Sequence, residues 1–210
     1  MINKRTYYQL ILDQSGSMSS CIRPTIEGYN EQIQMIRDLQ KKFPEQEFRV
    51  SLTIFNHFVN HRSDRAGIEQ LAELNEMVYV PDGGTALLDA IGESVTLLNS
   101  KIAEEVRRDE ATVVVVILTD GHENSSRLFS LEAIRGMIRE LEAGNNWTFC
   151  FLGATRDALE QASNLNIKRE NSLRYDKANT REVFHELGSS MAAYMADKVA
   201  GKKSGNFLKK

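Results

Sequence analysis

Residues 111–121 read ATVVVVILTDG. The run is continuously apolar and mostly β-branched, without the alternation of a half-exposed strand. That pattern predicts a strand covered on both faces, as in the middle of a parallel sheet. Its apolar centre, Val113 to Leu118, is far short of the roughly 20 residues a membrane-spanning helix needs. The strand breaks at Thr119-Asp120-Gly121, where polar and flexible residues end it abruptly.

Working outward, helical stripes flank this strand. Upstream, Leu87, Ile91, Val95, Leu98, Ile102 and Val106 recur at three-and-four spacing. Downstream, Leu131, Ile134, Ile138 and Leu141 do the same and stop at Gly144-Asn145. A second buried strand follows at 147–152 (WTFCFL). Towards the N-terminus, residues 6–12 (TYYQLIL) predict a strand ending at Asp13. The helical stripe Ile26, Tyr29, Ile33, Ile36 and Gln40 follows, with Leu39 beside it and Pro24 near its start. Residues 48–55 (FRVSLTIF) predict another strand, and 58–62 a hairpin partner turning back beside it. Residues 171–175 predict a short sixth strand. Asn179 with Glu182 has capping-box spacing before Val183, Leu187, Met191 and Tyr194. Strands alternating with helices predict an α/β three-layer sandwich, with helices on both faces of a mostly parallel sheet.

The 210 residues are 41% hydrophobic and 26% charged, with a net charge of −3. These values fit one soluble globular domain over 1–200, followed by a flexible basic tail over 201–210, and exclude a disordered chain. The mild acidity argues against a nucleic-acid binder, whose contacts to phosphate need surplus Lys and Arg. The N-terminus (MINKRTYYQLILDQ) lacks the longer apolar stretch and cleavage site of a secretory signal, so a cytoplasmic protein is expected. Cys21 and Cys150 are then expected reduced. Neither has a second Cys or a His at metal-ligand spacing. The tail's G-K-K-S lacks the strand and Gly-spaced loop of a phosphate-binding loop.

Chemistry gathers at the element ends. The first strand runs into Asp13-Gln14-Ser15-Gly16-Ser17, the 111–118 strand into Thr119-Asp120-Gly121, and Pro81-Asp82-Gly83-Gly84-Thr85 opens the longest helix. Open α/β sheets bind ligands beyond the carboxyl ends of their strands, where chain order reverses. Asp13, Ser15, Ser17, Thr85 and Asp120 offer hard oxygen and neither thiolate nor imidazole. That set suits Mg²⁺, Mn²⁺ or Ca²⁺ and disfavours a closed zinc site. With three neutral hydroxyls and two carboxylates, the ion stays electron-poor. Its shell is then completed by water or by a carboxylate from another molecule. Each element taken singly also has a bland reading. Ser15 and Ser17 can cap the next helix, Thr85 can be an N-cap, and Asp120-Gly121 can be an ordinary turn.

The combination Asp13-x-Ser15-x-Ser17, Gly83-Gly84-Thr85 and Thr119-Asp120-Gly121 resembles the metal-ion-dependent adhesion site of the von Willebrand factor type A family, which includes integrin inserted domains. The resemblance covers about residues 5–200. It implies six strands, mostly parallel with one antiparallel edge strand. Ser15, Ser17 and Thr85 would be direct or near-direct ligands, and Asp13 and Asp120 direct or water-mediated ones. It also implies a binding module without catalytic turnover, capturing an acidic side chain of a protein partner. A stand-alone form without a signal is similar to intracellular bacterial or phage members. Those act as adaptors of larger assemblies such as AAA-type ATPases or stress-response systems.

Three other functions compete. A Mg²⁺-dependent phosphatase or phosphotransferase would use Asp13 as nucleophile, but Ser15 stands where its acid/base carboxylate belongs. A serine hydrolase would need His57, His61, His122 or His185 beside Ser15 or Ser17, and neither serine sits in a G-x-S-x-G elbow. A metal-free scaffold is the third. Met18, Ser19, Arg23, His122, Glu123 and Asn124 are expected to rim the site. Arg23 is a candidate partner for an incoming carboxylate.

Overall fold

The computed structural model describes residues 5–200, Lys202 and residues 206–208. Six strands form one sheet: β1 (Arg5–Asp13), β2 (Glu47–Phe55), β3 (Val59–Gly67), β4 (Ala111–Thr119), β5 (Trp147–Gly153) and β6 (Ser172–Arg174). Their order is β3-β2-β1-β4-β5-β6. Only β2–β3 is antiparallel; every other pair is parallel. The edge hairpin and the short sixth strand predicted from sequence are both present.

Among the described residues, five α-helices cover the sheet: α1 (Ile22–Lys42), α2 (Leu87–Arg107), α3 (Leu131–Ala143), α4 (Ala158–Asn164) and α5 (Thr180–Val199). Side chains of a strand alternate between faces, so each buried strand feeds two cores. Tyr8, Leu10, Leu12, Val114, Val116, Leu118, Cys150 and Leu152 face α1 and α5. Ile11, Val113, Val115, Ile117, Phe149 and Phe151 face α2, α3 and α4. All nine residues of β4 are buried, as its unbroken apolar sequence predicts for the middle of such a sheet. The α1–α5 pair packs closely through two glycines. A Cβ at Gly28 would lie 2.3 Å from the Phe184 ring, and one at Gly188 2.3 Å from the Met35 side chain.

Sequence reading and structure part in three places. Helix α4 was not expected; its seven residues are too few to display a stripe. The capping box at Asn179 does not form. A 3₁₀ turn over Lys177–Asn179 precedes α5, and Asp176 caps that turn by accepting from Ala178 N–H. The tail expected over 201–210 lies partly outside the described residues. Within it Phe207 and Leu208 are buried. The Phe207 N–H donates to Asn171 Oδ1 at 2.8 Å, and its ring lies 5.7 Å from that of Tyr194. Cys21 and Cys150 are buried free thiols. Among the described residues, no helix is long and apolar enough to cross a membrane.

Candidate functional site

Strand β1 has β2 on one side and β4 on the other, so the chain leaves it in opposite directions. At the carboxyl ends of β1 and β4 this opens the crevice in which α/β sheets place their ligands. Asp13 is the last residue of β1, and Asp120 directly follows β4. Ser15 and Ser17 lie at and inside the 3₁₀ turn Gly16–Cys21, and Thr85 lies just ahead of α2. All five side chains singled out from sequence are thus delivered to one place.

Hydrogen bonds lock the three loops together. Gly16 N–H donates to Gly83 O at 3.0 Å, and Asp82 N–H to Gln14 O at 3.0 Å. Gly83 has φ of +71°, and a Cβ there would fall 2.0 Å from His57 Nδ1, so only glycine fits this turn. Asn124 accepts from Thr85 N–H at 2.8 Å through Oδ1 and returns its own N–H to Thr85 O at 3.0 Å. Asn124, expected as a rim residue, therefore sets the position of Thr85.

The side chains converge further. Asp13 Oδ1 accepts from Ser15 N–H at 2.7 Å, and Asp13 Oδ2 accepts from the Thr119 hydroxyl. Ser15 Oγ and Ser17 Oγ lie 3.1 Å apart, and Ser17 Oγ donates to Asp120 Oδ1 at 2.6 Å. Tyr79 OH donates to the Asp13 carbonyl at 2.5 Å, fixing the strand end from below. The bland alternatives fail here. Ser15 makes no side-chain capping bond, and the N-cap of α2 is Ala86 rather than Thr85.

Two observations test whether a divalent ion fits. A Cβ added at Gly121 would lie 2.9 Å from Thr85 Oγ1, 3.6 Å from Ser17 Oγ and 3.7 Å from Asp13 Oδ2. Oxygens from the loop after β1 and from the turn ahead of α2 therefore border one small space that Gly121, in the loop after β4, leaves open. Second, Asp120 has a fully buried side chain, and its Oδ2 is paired with the Lys177 ammonium. A buried carboxylate is costly unless a cation faces it. Burial pushes the Asp13 carboxyl up to about 6, partly offset by the Thr119 and Ser15 bonds. The crevice thus holds two buried carboxylates against one ammonium, with Asp13 held only by neutral donors. Among the described residues no three His, Cys, Asp or Glu side chains cluster as a metal centre. Hydroxyls have to complete any donor set, as expected for a hard, oxygen-seeking ion. The residues present fit such an ion.

The expected rim is corrected in part. Met18 is fully buried. Ser19 and Arg23 are exposed. Glu123 turns inward and accepts from Leu88, Ser125 and Ser126 N–H groups, bracing the loop after β4. His122 lies near Gln161 and Asp157, with Nε2 3.6 Å from Asp157 Oδ1. Sequence reading missed Lys177 and Thr119. Thr119 could have been found as the threonine preceding Asp120. Nothing local in the sequence marks Lys177, which reaches the site from 160 positions beyond Ser17.

The family model for the von Willebrand factor type A domain matches residues 9–189. No curated protein matches the chain in sequence. Several solved structures share the fold. A manganese-loaded TRAP protein of Plasmodium vivax aligns with a TM-score of 0.60 and 16% identity, over 87% of this chain and 73% of its own. Proximal thread matrix protein 1 from the mussel byssus, in a form with a zinc-occupied MIDAS motif, aligns at 0.55 and 15%, over 90% of this chain and 46% of its own. A von Willebrand factor type A protein from Catenulispora acidiphila aligns at 0.54 and 15%, over 90% and 43%. The chain thus spans less than half the length of the last two.

Proposed function

Because the chain belongs to the von Willebrand factor type A family, we infer that it is a divalent-cation-dependent protein-binding module in which Asp13, Ser15, Ser17, Thr85 and Asp120 hold the ion. The observation that carries this reading is the meeting of Asp13, Ser17 and Thr85 oxygens around the open space beside Gly121. A bound Mg²⁺ or Mn²⁺ would supply a concentrated positive charge that accepts a carboxylate oxygen from another molecule. The manganese of the TRAP protein and the zinc of the mussel matrix protein agree with a divalent ion without choosing one.

The chain's own residues do the rest. Asp13, held at both oxygens, keeps the hydroxyls of Ser15 and Ser17 on one side of the crevice. Asn124 fixes Thr85 opposite them. Beside the Gly83-Gly84 turn lies an open groove bordered by His57, Asn124 and two exposed apolar side chains, Phe58 and Leu128. Their exposures of 71% and 72% are high for such residues, and they give an acidic partner segment an apolar surface next to the ion. The partner is a protein offering Asp or Glu. A role as intracellular adaptor of a larger assembly, such as an AAA-type ATPase or stress-response system, fits a module of this kind.

Catalytic turnover is no part of this reading. Asp13 is fully buried with both oxygens engaged, which ill suits a phosphoryl-accepting nucleophile. The test is calorimetry with Mg²⁺ and Mn²⁺, followed by capture of partners from native lysate with and without chelator. Asp13→Ala and Ser15→Ala proteins that remain folded serve as controls. Ion binding lost in both variants, and capture lost with chelator, is the expected result. Identical capture in chelator favours the metal-free scaffold. Phosphatase turnover lost in Asp13→Asn would overturn the non-enzymatic reading.

A further inference from the structure

Asp120 is held from two sides. Ser17 Oγ donates to its Oδ1 at 2.6 Å, and the Lys177 ammonium pairs with its Oδ2. The same ammonium donates to the Ser17 backbone carbonyl at 3.0 Å. Lys177 therefore clasps two of the five ion-holding residues at once. Its side chain is 35% exposed, whereas that of Asp120 is wholly buried.

The backbone at Lys177 is pinned. Tyr175 N–H donates to Gly153 O at 3.0 Å, tying the segment to the end of β5. Asp176 accepts from Ala178 N–H at 3.0 Å, and Thr180 Oγ1 donates to Lys177 O at 2.7 Å. The turn that carries Lys177 thus leads directly into α5, and the ammonium is aimed at the site by a braced backbone.

We propose that Lys177 is an internal counter-cation that competes with the divalent ion for Asp120, so that its displacement sets the ion affinity of the site. This rests on the ion-binding reading above. The physical ground is charge. Asp120 Oδ2 faces one cation at contact, and an ammonium beside a dication on the same carboxylate would suffer strong like-charge repulsion in so buried a place. Lys177 can leave, because its flexible stem already reaches solvent and its charge is readily hydrated. Asp120 cannot leave, because it directly follows the central strand β4. The competition is therefore resolved by movement of the lysine. A residue that merely positioned Asp120 and Ser17 would have the opposite effect, since its loss would weaken ion binding.

The test is calorimetric titration of Mn²⁺ into the wild-type protein and into Lys177→Met, which keeps the stem and removes the charge. Circular dichroism checks the fold of both. The variant is expected to bind Mn²⁺ about tenfold more tightly, the scale on which one lost close charge repulsion alters an affinity. Equal or weaker binding in the variant overturns the proposal and leaves the ion site standing. Binding by neither protein overturns the ion site itself and this proposal with it. A second readout needs no substitution. Wild-type protein is treated with an amine-acylating ester, with and without saturating Mn²⁺, and acylation is read by mass spectrometry. Lys177 is expected to react several-fold faster with the ion present, while Lys41, which is 72% exposed, stays constant. An unchanged Lys177 rate overturns the displacement.

Discussion

Replacing Asp13 by Asn is expected to make the metal-free protein more stable while removing its response to ions. Burial raises the Asp13 carboxyl from 3.8 to about 6. An acid whose folded pKa exceeds its unfolded one favours folding fully only below about pH 4, and that contribution is lost as pH rises through about 6. At pH 7 the buried charge costs about 3 kcal/mol, from 1.36 kcal/mol for each pKa unit. Asn removes this cost and keeps the shape. Its oxygen can still accept from Ser15 N–H, as Asp13 Oδ1 does at 2.7 Å. Its amide would face the Thr119 hydroxyl, which can accept instead and turn its hydrogen towards Gly121 O at 3.4 Å. That rearranged bond is worth about 1 kcal/mol less, leaving a net gain of about 2 kcal/mol. Urea unfolding in chelator from pH 4 to pH 7 measures it. The stability difference between variant and wild type should be small at pH 4, grow up to about pH 6, and then level off. With Mn²⁺ at about a hundred times its dissociation constant, the wild type should gain about 2.7 kcal/mol and the variant nothing. A variant less stable than wild type in chelator at pH 7, or a difference that ignores pH, refutes the reasoning.

Three further outcomes are expected. Gly121→Ala places a methyl group 2.9 Å from Thr85 Oγ1, within the space the oxygens surround. Mn²⁺ affinity measured by calorimetry should fall by about tenfold or more, with a stability loss in urea of about 1–2 kcal/mol from local overpacking. Phe58→Ala and Leu128→Ala, both at exposed positions, should reduce partner capture while leaving Mn²⁺ affinity within about twofold. Lys198 is buried, its ammonium held by Arg5 O, Thr6 Oγ1 and Thr112 Oγ1, and burial lowers it from 10.5 to about 7. The unfolded chain then binds the extra proton between pH 7 and 10.5, so stability rises with pH there, by about 2 kcal/mol from pH 7 to 9. Lys198→Met should abolish that rise in urea unfolding. Burial also lifts the Tyr194 hydroxyl and the Cys150 thiol above their usual range, so their contributions run the other way as pH climbs through the values of the unfolded chain.

The parts of this fold that were legible share one physical feature: their pattern is local. Strand β4 declares itself because a strand buried on both faces has to be apolar at every position. Helices α1, α2, α3 and α5 each carry a stripe long enough to recur. Helix α4 has seven residues, too few for a periodic signal. The set proposed to hold the ion was legible for another reason. Loops at strand ends have no packing duty, so Asp13, Ser15, Ser17, Thr85 and Asp120 stand out against their apolar neighbours. Lys177 was not legible as a site residue, and Asn124 was read only as rim and Thr119 only as the strand break, because each acts through a contact that the tertiary fold creates. Met18 was misjudged for the same cause. It lies among polar residues in sequence yet turns into the core beside Cys21.

The two carboxylates illustrate how one crevice can be both stable and ready to bind. Asp13 is held by neutral donors from its own loop and from the end of β4. Its oxygens accept from Ser15 N–H and the Thr119 hydroxyl, and its raised pKa records how incompletely these replace water. Asp120 is balanced by a full charge, but one brought by a flexible side chain from the far end of the chain. The first arrangement is rigid and keeps the hydroxyls in place. The second is exchangeable: Lys177 can pass into solvent when an incoming cation takes over the charge of the wholly buried Asp120 carboxylate. A site built only of the first kind would have no way to release its charge balance to an incoming cation. One built only of the second would lose its geometry whenever the lysine left. The division of labour between the end of β1 and the end of β4 thus follows from their partners. β1 is braced by hydrogen bonds on both sides, whereas Asp120 relies on a partner that can move.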